Sequence, residues 1–192
     1  MPTMQITPWN THHLQKRIAP RLSIIRGKCV KEDKQKGLIW KYCYYIRMVC
    51  SMCQSPEEYK KFFIKEYTFW RIELHSNQCY LGRCLIILNR HTENLFDITT
   101  NEKDELFTIG SILNNALLKG FNPNILNYSS LGNDMRHLHL HIIPRYKNPV
   151  TFADTIFTDE RWGHNPSPYN KNFEISDEVY NKIIIEICKN LT

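Results

Sequence analysis

The chain has no run of about 18 consecutive apolar residues. Its longest apolar candidates, such as Cys84 to Leu88, are only long enough for a strand, so no segment qualifies as a membrane-crossing helix. It has no recognisable signal peptide, and its seven cysteines (29, 43, 50, 53, 79, 84 and 188) are an odd number. Both points argue against a disulfide framework and for reduced intracellular thiols, with Cys84 inside an apolar run and Cys188 inside a helical pattern. Internal repeats and low-complexity tracts are also missing, which excludes a repeat array. What remains is 192 residues, 42% hydrophobic and 23% charged, enough to bury the core of one ordinary domain.

A net charge of +6 is unevenly spread. Residues 1–47 hold ten Lys and Arg against Glu32 and Asp33, a net +8, while the remainder holds fifteen basic and seventeen acidic residues, a net −2. The basic excess therefore belongs to the N-terminal quarter, and the rest carries no nucleic-acid signature. Residues 1–47 lack clean periodicity. They are a basic extension with three open readings: a mobile arm, an organelle-targeting segment, or sequence upstream of a start at Met48. Without targeting, the expected location is cytoplasmic.

From residue 48 the pattern becomes regular. Tyr67 to Leu74 is rich in β-formers, and Arg83 to Asn89 encloses a short apolar run; Ser76-Asn77 and Gly82 supply turns between these two strands. Thr99 with Glu102 forms a capping-box pattern opening a helix, along which Leu106, Ile109, Leu113, Ala116 and Leu117 recur until Lys119-Gly120 ends it. Ile125 to Tyr128 is a further strand, and 136–143 is the last, stopped by Pro144. The tail from Tyr146 to Ser176 is irregular, and Asp177 to Asn190 is a closing helix with Val179, Ile183, Ile184 and Ile187 on one stripe. The fold class is α+β, an antiparallel meander with few helices. The expected units are the extension 1–47, a domain 48–150, and a tail with helix, 151–192, packed on it.

Chemistry is concentrated in His137-Leu138-His139-Leu140-His141. In a strand, residues two apart share a face, so the three imidazoles line one side while Leu138, Leu140 and Ile142 enter the core. Core packing asks for no such row. Metal binding is the serious rival, but at ~3.3 Å per residue the outer Cα atoms lie ~13 Å apart, too far for all three rings to reach one ion with Zn–N bonds of ~2.0–2.1 Å. An extended polyphosphate can meet several imidazoles along such a row. A neutral imidazole is nucleophilic near neutral pH, and attack on a phosphoanhydride would form a nucleotidyl-histidine, splitting one displacement into two easier ones. His139, flanked on both sides, is the natural nucleophile.

The segment Asn127 to Arg145, which contains this row, resembles the signature of the histidine triad (HIT) superfamily, and Tyr80 to His91 resembles that family's second block. The likeness covers roughly residues 50–148. It implies a five-stranded antiparallel sheet with a packed helix, a two-fold homodimer, and hydrolysis or transfer of nucleotides at the α-phosphate; diadenosine polyphosphate hydrolases are the closest-looking group. It makes His139 the nucleophile, His137 its buttress and His141 a phosphate contact. It places Asn127 near an amide that touches the phosphate or the nucleophile, with Asn133 in the same pocket. Many members carry Gly-His where this chain has Gly82-Arg83, and an arginine fork suits phosphate at that place. Arg136 and Arg145 are further candidates for phosphate contact, and the stretch from Thr158 to Tyr169 either covers the base or packs as tail.

Cys50-x-x-Cys53 has the spacing of a zinc knuckle. In relatives with such a pair the resemblance completes the metal with the histidine ending the second block, here His91, and with His137, giving a closed structural site. Two free cysteines and a redox pair are the alternatives. No cofactor is required for the chemistry itself. The expected function is a nucleotide phosphoanhydride hydrolase or transferase. A nucleotide-binding scaffold and an enzyme for 5′-adenylated nucleic-acid ends, using the basic arm, are the competing readings.

Overall fold

In the computed structural model, residues 50–54 and 57–191 are described; the basic extension lies outside them. Five strands, β1 (Phe63–Glu66), β2 (Trp70–Leu74), β3 (Cys84–Leu88), β4 (Ile125–Ser129) and β5 (His139–Arg145), form one sheet in the order β1-β2-β3-β5-β4. Every pairing in it is antiparallel. Two long helices, α1 (Thr100–Phe121) and α2 (Asp177–Asn190), and a small hairpin, β6 (Val150–Phe152) with β7 (Thr155–Phe157), complete the α+β fold. No helix among the described residues is long and apolar enough to cross a membrane.

The period-2 rule divides the sheet into two faces. Trp70, Ile72, Leu74, Cys84, Ile86, Leu88, Leu138 and Ile142 join the core together with Leu106, Ile109, Leu113 and Leu117 of α1 and Ile183 and Ile187 of α2. The intervening residues face the other way. Register aligns them in rows: Arg71 with Ile87 and Ile87 with His139, then Glu73 with Leu85 and Leu85 with His141. On the far side of β5, Ser129 pairs with His141 and Asn127 with Ile143. The first helix is pinned at its start by the capping box of Thr99 and Glu102. Its Glu105 carboxylate accepts from the amides of Thr68, Phe69 and Trp70, which ties the β1–β2 turn to the helix.

Three local expectations are corrected, and one strand is new. The helix runs past Gly120 to Phe121, and Asn122, in the left-handed region at φ 48°, supplies the cap. Pro144 does not stop the last strand, which extends to Arg145. The Arg145 carbonyl accepts from Asn124 on the β4 side, so alternation turns the Pro144 nitrogen toward β3, whose pairing has already ended at Cys84 with Ile142. No ladder bond is lost there. The same strand begins only at His139, leaving His137 before it. Finally, β1 had no expectation attached: only Ile64 of its four residues is buried, too weak an alternation to read.

Candidate active site and metal cluster

Two of the three alternating histidines share a cavity; the third does not. His139 and His141 line a cavity of about 850 Å³, with ring centroids 4.9 Å apart. Both are buried, at 4% and 9% exposure, so the cavity edge is where they meet anything outside the protein. His139 Nδ1 lies 2.6 Å from the carbonyl oxygen of His137. A carbonyl only accepts, so Nδ1 carries a proton, and in the neutral tautomer the lone pair is on Nε2. Ser130 Oγ donates to the His139 carbonyl at 3.1 Å, fixing the start of β5. His141 Nδ1 lies 3.3 Å from Arg83 Nη2. A guanidinium only donates, which places the His141 proton on Nε2. Burial first, and then the charge of Arg83, push the His141 pKa down to about 3.

His137 turns the other way. Because it precedes the strand, its ring is not held in the row. Its Nε2 donates to the Leu88 carbonyl at 2.6 Å, leaving Nδ1 as an acceptor 3.4 Å from Cys50 Sγ and 3.4 Å from Cys53 Sγ. His91 Nδ1 lies 3.5 Å from Cys53 Sγ. The four ligand atoms of Cys50, Cys53, His91 and His137 all fall within 4.8 Å of one another. A tetrahedral ion with Zn–S ~2.3 Å and Zn–N ~2.05 Å would separate S and N by ~3.6 Å, close to the spacings present. The second ring nitrogen of His137 on a backbone carbonyl is also what metal-ligating histidines characteristically have. The donor set fits zinc.

Other site candidates sort by what their polar atoms already do. Asn127 lines the cavity and accepts from Arg145 Nη1 at 2.7 Å; among the described residues its NH₂ group has no hydrogen-bond acceptor. Asn133 lines the cavity from the exposed turn before the triad. Arg83, 5% exposed, borders the cavity. Its position follows from the turn Tyr80–Arg83, in which the Arg83 amide donates to the Tyr80 carbonyl at 3.0 Å and Gly82 sits at φ +80°. That conformation requires glycine, and a Cβ there would lie 2.9 Å from the Phe121 ring.

Arg145 is not a phosphate contact. Nε and Nη2 pair with the two Asp159 oxygens at 2.7 and 3.0 Å. Nη1 donates to Asn127 and to the His164 carbonyl, and Nη2 also to the Arg161 carbonyl. All five N–H groups are thus engaged inside the protein, strapping the C-terminal segment to the sheet. Arg136, with its side chain 81% exposed, lies 4.0 Å from Glu93 and does not line the cavity. The segment after Asp159 does reach it, through His164, Asn165, Pro166, Ser167 and Tyr169; Tyr80 holds it by donating from its hydroxyl to the Pro166 carbonyl at 2.8 Å. Trp162 is absent from the lining.

His75 was not among the candidates. It lines the cavity with its ring 5.7 Å from His141, and burial, then Arg83, depress its pKa to about 3. It stands alone in sequence, two residues before Asn77, so no spacing marks it; only the His75 amide bond to the Arg83 carbonyl at 2.9 Å brings it to the site.

Residues 57–148 match the family model described as HIT domain. An asymmetrical bis(5'-nucleosyl)-tetraphosphatase of Schizosaccharomyces pombe is 27% identical over 111 residues, 53% of this chain and 61% of the relative; the chain thus spans about three fifths of that protein's length. The solved structure of a histidine triad protein from Sinorhizobium meliloti has a TM-score of 0.59 at 18% identity, covering 70% of this chain and 94% of its own. A zinc-bound histidine triad family protein from Mycobacterium smegmatis has a TM-score of 0.50 at 18% identity, covering 74% and 95% respectively. At these identities the likeness to solved structures is one of fold.

Proposed function

Residues 57–148 belong to the HIT domain family, and from that premise we propose that this protein hydrolyses nucleotides at the α-phosphate through a covalent nucleotidyl-His139. The observation that carries the reading is the 2.6 Å bond from His139 Nδ1 to the His137 carbonyl. It leaves the Nε2 lone pair of a neutral imidazole available at a cavity edge, as a nucleophile needs. In the first step Nε2 bonds to phosphorus while the bond from phosphorus to the bridging oxygen breaks, its electron pair leaving with the remaining phosphate chain. In the second step water attacks the same phosphorus, a proton passes to solvent, and His139 departs neutral with release of the nucleoside monophosphate. His141 Nε2–H and the Asn127 amide are the donors that meet phosphate oxygens, and Asn133 borders the entrance.

The substrate class is a dinucleoside polyphosphate or a related nucleotide conjugate. An 850 Å³ cavity lies toward the upper end of the range for ligand sites and leaves room beyond a single nucleotide. Zinc on Cys50, Cys53, His91 and His137 would lock the turn that presents the His137 carbonyl to the nucleophile; the phosphoryl chemistry needs no metal. A second copy of the chain is the expected partner, because β4 is an edge strand with Ile125 and Tyr128 exposed on it and Leu131 just beyond.

Chromatography of products from a panel of nucleotides tests this. The expected result is release of a nucleoside monophosphate from a dinucleoside tetraphosphate, with kcat reduced at least about 10³-fold in His139→Asn, the order of several kcal/mol of barrier. A fully active His139→Asn refutes the covalent route, and tight nucleotide binding without turnover would leave a binding scaffold.

A further inference from the structure

Arg83 holds more charge than its surroundings answer. Arg83 is only 5% exposed, and among the described residues Nη2 meets only His141 Nδ1. Nε and Nη1 are buried with no hydrogen-bond partner among the described residues. Arg145, by contrast, has every N–H met, two of them by a carboxylate; Arg83 has no carboxylate partner among the described residues. A guanidinium does not shed its proton, and a buried cation without an anion is strongly unfavourable. The surrounding groups nevertheless hold it in place. The Tyr169 ring lies over it, 4.5 Å from Cζ to centroid, and His75 sits 6.4 Å from Tyr169 and 5.7 Å from His141. Both imidazoles stay neutral at physiological pH because of burial and of Arg83 itself. The positive charge at this end of the cavity is therefore the guanidinium's own.

Order along the wall gives the site its place in the reaction. His139 comes first, His141 next with its ring 4.9 Å away, and Arg83 beyond it at 3.3 Å. Phosphorus under attack by His139 Nε2 lies against the first two. The departing group leaves opposite the attacking nitrogen, as in-line displacement requires. We propose that Arg83, framed by His75 and Tyr169, is the subsite for the phosphate next to the one attacked, so that the enzyme selects nucleotides whose leaving group is itself a phosphate chain over those that release an uncharged amine or alcohol. This rests on the hydrolase reading above and deepens it. As the bond from phosphorus to the bridging oxygen breaks, the electron pair and its negative charge pass to the leaving phosphate, where the guanidinium meets them.

Calorimetric affinities of AMP, ADP and inorganic pyrophosphate test the subsite, measured in a His139→Asn background that prevents turnover. A charged hydrogen bond to the added phosphate predicts ADP binding about 30-fold tighter than AMP. Adding Arg83→Gln should bring that ratio below about threefold and weaken pyrophosphate at least about tenfold. Arg83→Lys, which keeps the charge, should fall between; it also serves if the Gln variant loses its thermal transition. An ADP to AMP ratio untouched by Arg83→Gln, or pyrophosphate bound equally well without the guanidinium, overturns the proposal. If neither nucleotide binds, the hydrolase reading fails on its own account, while pyrophosphate still reports on Arg83.

Discussion

His139 and His141 stand two residues apart on one strand, yet their protons are set by different partners. The His137 carbonyl places the first on Nδ1, and Arg83 places the second on Nε2. In the proposed reaction the first ring attacks and the second donates. Two consequences can be measured on single residues. Arg145→Ala leaves Asp159, whose side chain is 1% exposed, as an unpaired buried charge, and should destabilise the fold by about 3–5 kcal/mol in chemical denaturation; a cost under 1 kcal/mol would mean that the C-terminal segment is not held as described. His75 and His141 are neutral in the fold at pH values where the unfolded chain protonates them. The unfolded state then binds more protons as pH falls below about 6.5, so stability is lost from there down toward about pH 3. Each ring should contribute about 1–2 kcal/mol of loss between pH 7 and 5, and His75→Asn should flatten that slope; a slope unchanged by the variant contradicts the burial of a neutral ring. The alternation of histidines and leucines made the cavity-lining pair His139 and His141 legible in the sequence. It could not reveal that His137 faces away, because that depends on where pairing begins, nor His75 and Tyr169, which tertiary contacts alone bring to the cavity.

At the level of elements, the long helix and the edge strand have opposite roles. Helix α1 was readable from end to end but for its last turn, since the Thr99 and Glu102 capping box and the apolar stripe are local. Helix α2 was readable for the same reason, with Ser176 as its cap. The short strands were less so: β1 buries one residue, and the β6–β7 hairpin turns on Ala153 and Asp154 at φ 48° and 60°, a turn for which glycine or asparagine would have been the signal. Among the described residues, strand β4 leaves one edge of its backbone unpaired. Its exposed Tyr128 reaches Asn114 of α1 through its hydroxyl, so strand and helix present one continuous face. Sedimentation should give a dimer for the wild type and a monomer for a Tyr128→Lys, Leu131→Lys double variant, because lysine on an edge opposes pairing. A wild-type monomer at micromolar concentration would contradict it.

The described residues form a sheet with a core on one face and, on the other, a cavity bordered by Arg71, Glu73, Leu85, His139 and His141. The thiol and imidazole cluster at one end and the Arg145 strap at the other hold that face in register. If the cluster carries zinc, metal analysis should find about one ion per chain, and removal by a strong chelator should lower the melting temperature by at least about 5 °C, the effect of roughly 2 kcal/mol in a chain of this size. A metal-free protein as purified, with no change on adding zinc, would leave the four residues as a hydrogen-bonded cluster only. The covalent step is tested most directly by mass spectrometry of protein mixed with a dinucleoside tetraphosphate and quenched in the cold above neutral pH. The expected result is a mass increase of one nucleotidyl group, mapped to His139 and missing in His139→Asn. Turnover of the same substrate with no adduct on any histidine, or an adduct mapped to His141, would contradict it.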